Sequence, residues 1–379
     1  MKKLCRKILI SFLFVLSTLI SIAQTTAKEW FDKAEKLFGD KKYLEAAVAY
    51  DKTTLMDPKN QKAFYKAGWC YNDLDKFVNA IDRLKKAAEL KNNDHMAWQE
   101  LGYAYKKTAK NAEALASLEK AIAIKPTYAM AYKQIGDVYQ NMDKDADAIN
   151  AYLKCYENDN ENDDACYNLG YLYNASSEYE KAIEWLEKAK KIEEGVDVFN
   201  ELGFAYYKLK KNDDAINAYK SALRINDRNS TAYKGMGDLY RLNISPAKTD
   251  EAIVNYLKAI EYNPKSSGSL YGLGWCYNSK GRYEEAISII NKSIELNKIF
   301  APGYVELGYA QYMTGKYTEA LLTLKTGLGM DRKNKLCRYY MGLIYVAQKD
   351  KVNANVMHIE LKPLDEKLAE KLLTKINAL

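Results

Sequence analysis

A glycine returns along most of this chain at almost constant spacing. Gly68, Gly102, Gly136, Gly170, Gly203, Gly237, Gly274, Gly308 and Gly342 are separated by 34, 34, 34, 33, 34, 37, 34 and 34 residues. A period of this length means one supersecondary unit stacked on copies of itself, each burying its apolar face on the next. Twelve residues after each glycine stands an alanine: Ala80, Ala114, Ala148, Ala182, Ala215, Ala286, Ala320 and Ala354, with Ala252 delayed to fifteen by an insertion. Ala34 and Ala46 mark an earlier unit, giving ten in all. A tyrosine follows most of the glycines by three residues, as at Tyr71, Tyr105, Tyr139, Tyr173 and Tyr240, which accounts for many of the 32 tyrosines.

The spacing inside a unit is helical. Trp98, Leu101, Gly102 and Tyr105 share one helix face, and Ala114, Leu118 and Ala121 share a second. The polar stretch Lys106–Asn111 between them is short enough to fold two helices antiparallel. A helical glycine costs about 1 kcal/mol relative to alanine, so its recurrence implies close helix approach, with the alanine expected as the small surface opposite. The tyrosine is expected in the seam between units, its hydroxyl at the edge. Asp57–Pro58, Pro126 and Asn263–Pro264 end second helices. Two irregularities interrupt the period. A residue is missing near Ile192–Asp197, where Gly195 suits a tight connection, and three extra residues lie in Arg241–Ala252. Such an inserted turn is either a neutral surface loop or a binding rim. Pro363 stops the tenth unit, and Leu368, Leu372 and Ile376 then form an apolar stripe opposite Lys367, Lys371 and Lys375, as a capping helix requires.

The start of the chain is of another kind. Lys2, Lys3, Arg6 and Lys7 precede an apolar run, Ile8–Ala23, with Ser21 and Ala23 just before Gln24. This is the pattern of a secretory signal peptide, expected at 1–23 and followed by a short leader, 24–26; an uncleaved anchor is the alternative. Without 1–23, which holds four cations and no acid, the formal charge falls from +7 to +3. That is too mild to indicate nucleic acid as a partner.

Chemistry-bearing residues are sparse. The two histidines are His95, placed in a loop opening the third unit, and His358, placed in the core of the last. Neither has a nucleophile on its face. Beyond the leader the cysteines are Cys70, Cys155, Cys166, Cys276 and Cys337, with no CxxC pair. Cys155 and Cys166 stand at similar distances from one turn, which admits a disulfide in an oxidising compartment; small packing residues are the alternative. Cys70 and Cys276 are expected as buried thiols. The acidic stretch Glu157–Ala165 lacks the glycine and glutamate of a calcium loop. Gly235 and Gly237 lie within a helix and follow no strand, so they are no nucleotide motif. No catalytic, cofactor-binding or metal-ligating residue is expected, and the chain is not expected to be an enzyme.

The pattern resembles that of the tetratricopeptide repeat family. Trp98, Leu101, Gly102, Tyr105, Ala114, Leu118, Ala121 and Pro126 match it, as do Tyr233, Gly237, Tyr240, Ala252, Tyr256, Ala259 and Pro264. Lys33–Ala34 in the first unit and Gln311 in the ninth depart from it. The resemblance spans 27–362, with units starting near 27, 61, 95, 129, 163, 196, 230, 267, 301 and 335, and leaves 363–379 as the cap. It implies an all-α superhelical solenoid of about ten antiparallel helix pairs whose first helices line a concave groove.

In that frame the groove positions are Tyr65 and Trp69, Gln99 and Tyr103, Lys133 and Asp137, and Tyr167 and Tyr171. They continue as Asn200 and Phe204, Lys234 and Asp238, Tyr271 and Trp275, and Val305 and Tyr309. These places are read as standing apart from helix packing, with Asn72, Asn174 and Asn278 as accessory amides. An aromatic file of this kind suits an extended peptide or protein segment. A glycan stacked on the rings, in a polysaccharide-binding or export-associated protein, is the alternative partner, and tyrosines that pack on one another and merely stiffen the superhelix are the reading without a ligand. Nucleic acid is not expected, and a membrane only through an uncleaved leader or a membrane-bound partner. The family's clamp for acidic C-termini is missing, as is its asparagine ladder, whose places hold Lys66, Glu100, Gln134, Asn168, Glu201 and Gly235. The leader points to export into a Gram-negative envelope, in the periplasm or at the outer membrane, with secretion as the alternative.

Overall fold

Among the described residues, 26–242, 244 and 248–379 of a computed structural model, there are twenty-one α-helices and no strand. The expected signal peptide lies outside these residues, as do four positions of the inserted turn, 243 and 245–247. The chain divides into two compact units after Leu172.

In the first unit the helices follow one another in packed pairs. These are α1 (26–39) with α2 (Tyr43–Met56), α3 (Gln61–Asp73) with α4 (Phe77–Leu90), α5 (His95–Lys107) with α6 (Asn111–Ile124), and α7 (Ala129–Asn141) with α8 (Asp145–Asn158). The division falls inside α9 (Asp163–Ala175). The second unit continues with α10 (Tyr179–Ile192), then α11 (Val196–Lys208) with α12 (Asn212–Ile225), and α13 (Ser230–Leu242) with α14 (Thr249–Tyr262). It ends with α15 (Ser267–Ser279) and α16 (Tyr283–Leu296), α17 (Ala301–Met313) and α18 (Tyr317–Met330), α19 (Lys335–Ala347) and α20 (Lys351–Leu361), and a last helix, α21 (Glu366–Asn377).

The two helices of a pair start differently. Several first helices are capped by short polar side chains: Asn60 accepts from the Ala63 amide, Asp94 from Met96 and Ala97, Asn229 from Ala232, and Asn334 from Cys337, whereas α7, α11 and α17 have no side-chain cap. Second helices mostly follow a lysine with no side-chain cap and are reached through a tight turn. One residue of that turn is left-handed, at Lys41, Asp75, Ala109, Asp143, Ser177, Lys210, Gly281, Gly315 and Lys349, and only two of these are glycine.

The recurrent glycines do admit close approach, but the group opposite is not the alanine. A Cβ on Gly68 would fall within the Leu84 side chain, and one on Gly102 within Leu118. Gly136 and Gly203 face the rings of Tyr152 and Tyr219 in the same way. The large residue four places beyond the alanine therefore lies over the glycine, and the alanines, all fully buried, fill the interior beside it. The following tyrosine is a seam residue: Tyr71 is buried, and its hydroxyl donates to Asp51 on α2, 2.7 Å away.

Gly195 corrects a sequence expectation. The connection from α10 to α11 has three residues, but Gly195 is extended (φ −115°), and a Cβ there would meet only ordinary contact. The short connection needs no glycine.

At the C-terminus, α20 is short and His358 is half-buried instead of a core residue. Its Nδ1 lies 3.1 Å from the Ala369 carbonyl of α21. Leu372 of α21 takes the place over Gly342, and Ala369, Leu372 and Ile376 are fully buried.

Candidate functional site

The sequence-predicted groove residues fall on first helices, and most are half-buried. In the first unit, Tyr65 and Trp69 lie on α3, Tyr103 on α5, Lys133 and Asp137 on α7, and Tyr167 and Tyr171 on α9; Gln99 on α5 is buried. In the second unit, Phe204 lies on α11, Lys234 and Asp238 on α13, Tyr271 and Trp275 on α15, and Tyr309 on α17; Asn200 and Val305 are buried.

Their rings do not stand apart from helix packing, contrary to the sequence expectation. Trp69 meets Phe38 and Tyr43 edge-on at 5.0 and 5.4 Å, and Tyr103 meets Phe77 at 6.1 Å. Tyr167 stacks on Tyr171, Phe204 meets Tyr179, Tyr271 meets Phe300, and Tyr309 lies between Tyr283 and Tyr340. Neighbouring rings thus cover part of the surface of each. The charged pairs are similarly committed. Asp137 receives Lys106 at 2.5 Å, Lys133 at 3.4 Å and the Tyr152 hydroxyl at 2.9 Å. Asp238 receives Lys234 at 2.7 Å and the Tyr256 hydroxyl at 2.6 Å.

Asn72, Asn174 and Asn278 also differ from expectation. All three are buried, and their amides are bound within the protein. Asn72 Nδ2 donates to the Glu100 carbonyl (3.1 Å) and carboxylate (2.8 Å) of the next pair. Asn174 does the same to Glu201, at 3.1 and 2.8 Å, and Asn278 to Glu306, at 3.0 and 2.9 Å. Burial raises each of these carboxyls above the usual carboxylate range, against the pull of its asparagine. At Glu306 the Arg241 guanidinium adds to that pull, whereas the side chains that lower Glu100 are Asn72 and Gln99.

Sequence reasoning missed this clamp, although a longer period carries it. YKAGWCYN at Tyr65–Asn72 returns as YGLGWCYN at Tyr271–Asn278, with Tyr167, Gly170, Tyr171, Tyr173 and Asn174 holding the frame between. Glu-Leu-Gly-aromatic-Ala recurs at Glu100–Ala104, Glu201–Ala205 and Glu306–Ala310. AYKQIGDVYQ at Ala131–Gln140 returns as AYKGMGDLYR at Ala232–Arg241. The true repeat is therefore three helix pairs, 101 to 105 residues long.

Two open pockets sit at matching places in that longer repeat. The first, about 350 Å³, is lined by Trp69, Asn72, Asp73, Gln99, Glu100, Tyr103, Tyr128, Met130 and Gln134. The second, about 330 Å³, is lined by Asn200, Glu201, Phe204, Tyr207, Lys208 and Tyr219, and by Thr231, Lys234, Gly235, Asp238, Arg241 and Leu242.

Models of the tetratricopeptide repeat match residues 97–128, 131–162, 163–195, 196–229 and 255–288. This is a tetratricopeptide repeat protein. The C-terminal part of a tetratricopeptide repeat-containing protein from Cytophaga hutchinsonii is 18% identical, with a TM-score of 0.53 over 64% of this chain and 99% of that one. A tetratricopeptide repeat protein from Parabacteroides merdae is 17% identical, with a TM-score of 0.50 over 66% and 98%. MamA is 30% identical over 42% of this chain and 94% of its own, with a TM-score of 0.41. No curated protein matches the chain.

Tetratricopeptide repeats build interaction scaffolds that are in general not catalytic. Gly235 and Gly237, set aside as a nucleotide motif, give room to the rings of Tyr219 and Tyr256. His95 opens α5, edge-on to Tyr128 at 4.8 Å, rather than standing in a loop. Cys70, Cys155, Cys166, Cys276 and Cys337 are all buried thiols, and burial pushes Cys70, Cys155 and Cys276 up to about 12, far from the reactive range.

Proposed function

We propose that this tetratricopeptide repeat protein is a non-enzymatic scaffold of a bacterial cell envelope. It binds an extended peptide or protein segment against the first helices. The pocket on α3, α5 and α7 carries this reading: Trp69, Tyr103 and Tyr128 line a half-open cavity beside buried polar atoms that lack a partner. The glycan alternative is weaker, because the Nδ2 donors of the three asparagines are taken by Glu100, Glu201 and Glu306 and only their buried Oδ1 acceptors remain unpaired. Export rests on the 1–23 leader. No helix among the described residues is long and apolar enough to cross a membrane.

A photo-crosslinking residue at Tyr103 should capture a protein from envelope fractions, and Trp69→Ala should abolish the capture while exposed Val78→Ser leaves it intact. Capture indifferent to Trp69 overturns the groove reading. N-terminal sequencing of the mature protein should begin at Gln24; a full-length chain confined to the cytosol overturns export.

A further inference from the structure

The unsatisfied groups of the first pocket share one chemical character. Asn72 Oδ1 and Gln134 Oε1 are buried acceptors without a hydrogen-bond partner, on side chains only 5% and 6% exposed. A buried acceptor left unpaired is destabilising, and the partner that relieves it must be a donor. Beside them stand the carboxyls of Glu100 and Asp73, and among the lining residues there is no lysine or arginine. Three aromatic residues, Trp69, Tyr103 and Tyr128, complete the wall. The Tyr128 hydroxyl is used by Gln99, at 3.2 Å, which leaves its ring as the available surface. Nearby cations are engaged elsewhere: Lys106 is held by Asp137 and Lys66 lies over Phe38, 3.8 Å from its centroid. Lys106 and Lys107 also approach the Tyr103 ring at 5.5 Å, from outside the lining.

We infer that this pocket is the receptor for one basic side chain, arginine or lysine, of the bound peptide. Carboxylates and amide oxygens take its N–H donors, and the rings take its charge and alkyl stem. A bare metal ion suits the place poorly, since three of its walls are aromatic, and no metal-holding group of acids, histidines or cysteines exists among the described residues. The inference rests on the peptide-binding reading but fails separately from it.

A random dodecapeptide library displayed on phage and selected on the full chain provides the test. Selected peptides should carry arginine or lysine at one fixed position. Glu100→Gln, which keeps the side-chain size and an acceptor for Asn72, should weaken a selected peptide about tenfold. Replacing the peptide's basic residue by glutamine should cost the same on the original chain and nothing more on the variant. Selected peptides without a basic position, or binding indifferent to Glu100, overturn the inference and leave peptide binding standing. If no peptide is selected, the peptide reading fails, and N-acetyl-arginine methylamide then decides the pocket. A shift of the Trp69 indole resonance that is lost in Glu100→Gln upholds the receptor; an unmoved resonance overturns it.

Discussion

The pocket on α3, α5 and α7 and the pocket on α11 and α13 are built from matching positions, yet their walls differ in sign. Gln99, Glu100 and Tyr103 in the first correspond to Asn200, Glu201 and Phe204 in the second. The first has two carboxylates and no cation, whereas Lys208, Lys234 and Arg241 outnumber Glu201 and Asp238 in the second. The difference turns on volume as much as on charge. Leu118 in α6 is replaced in α12 by Tyr219, whose ring runs under Gly235 where the first pocket has Gln134. The Tyr219 ring occupies the space a Cβ at 235 would need, so the second pocket lacks the Gln134 acceptor and keeps only that of Asn200. A repeat scaffold fixes positions, and coupled pairs of residues then decide what each position offers.

The strongest way to break this comparison is to exchange the coupled pair. Gly235→Gln should destabilise by roughly 2–3 kcal/mol in urea unfolding, since its Cβ would enter the Tyr219 ring. Adding Tyr219→Leu should recover all but about 1 kcal/mol. Toleration of the single variant would show that the two residues are not coupled.

A second set of variants asks whether the clamps are as alike as their distances. Asn72→Ala and Asn174→Ala each remove two hydrogen bonds to a glutamate of the next pair. Each should cost about 1–2 kcal/mol. Costs differing by more than about 1 kcal/mol would mean that the matching geometry hides different energetics.

The clamped glutamates give a smaller effect with a defined pH dependence. Burial raises all three, so the unfolded chain ionises first as pH rises past about 4.3, and folding is progressively penalised until the folded group ionises. Glu100→Gln and Glu201→Gln should therefore raise the melting temperature at pH 7, with the gain disappearing below pH ~4. Glu306→Gln should gain least, because Arg241 favours its charged form. A gain that persists at low pH would rule out ionisation as the cause. At Glu100 the same change is expected to weaken ligand binding, a trade of stability for function.

The smallest expected effect lies in the turns, where the two units should behave alike. Ala109 and Lys210 are left-handed at φ 57° and 59°. Glycine at either place should add about 0.5 kcal/mol, strain relief outweighing the greater chain entropy. Opposite signs in thermal unfolding would show that the turns are not equivalent.

The all-α fold of paired helices was legible because it follows from spacing. Glycines and alanines in a 34-residue frame, with tyrosines in register, leave one way to bury every face. The aromatic file on the first helices was legible for the same reason. Which groups stay available on that file was not written in the spacing. Trp69 and Tyr309 contact neighbouring rings, and Asn72, Asn174 and Asn278 lie opposite the glutamate of the following pair. Those commitments join residues 27 to 31 positions apart through side-chain directions that a local pattern does not encode. The sequence determined the stack because helix periodicity is a local property of the chain. The tertiary structure decided the pockets, because what a side chain can offer a ligand depends on which partner reaches it first.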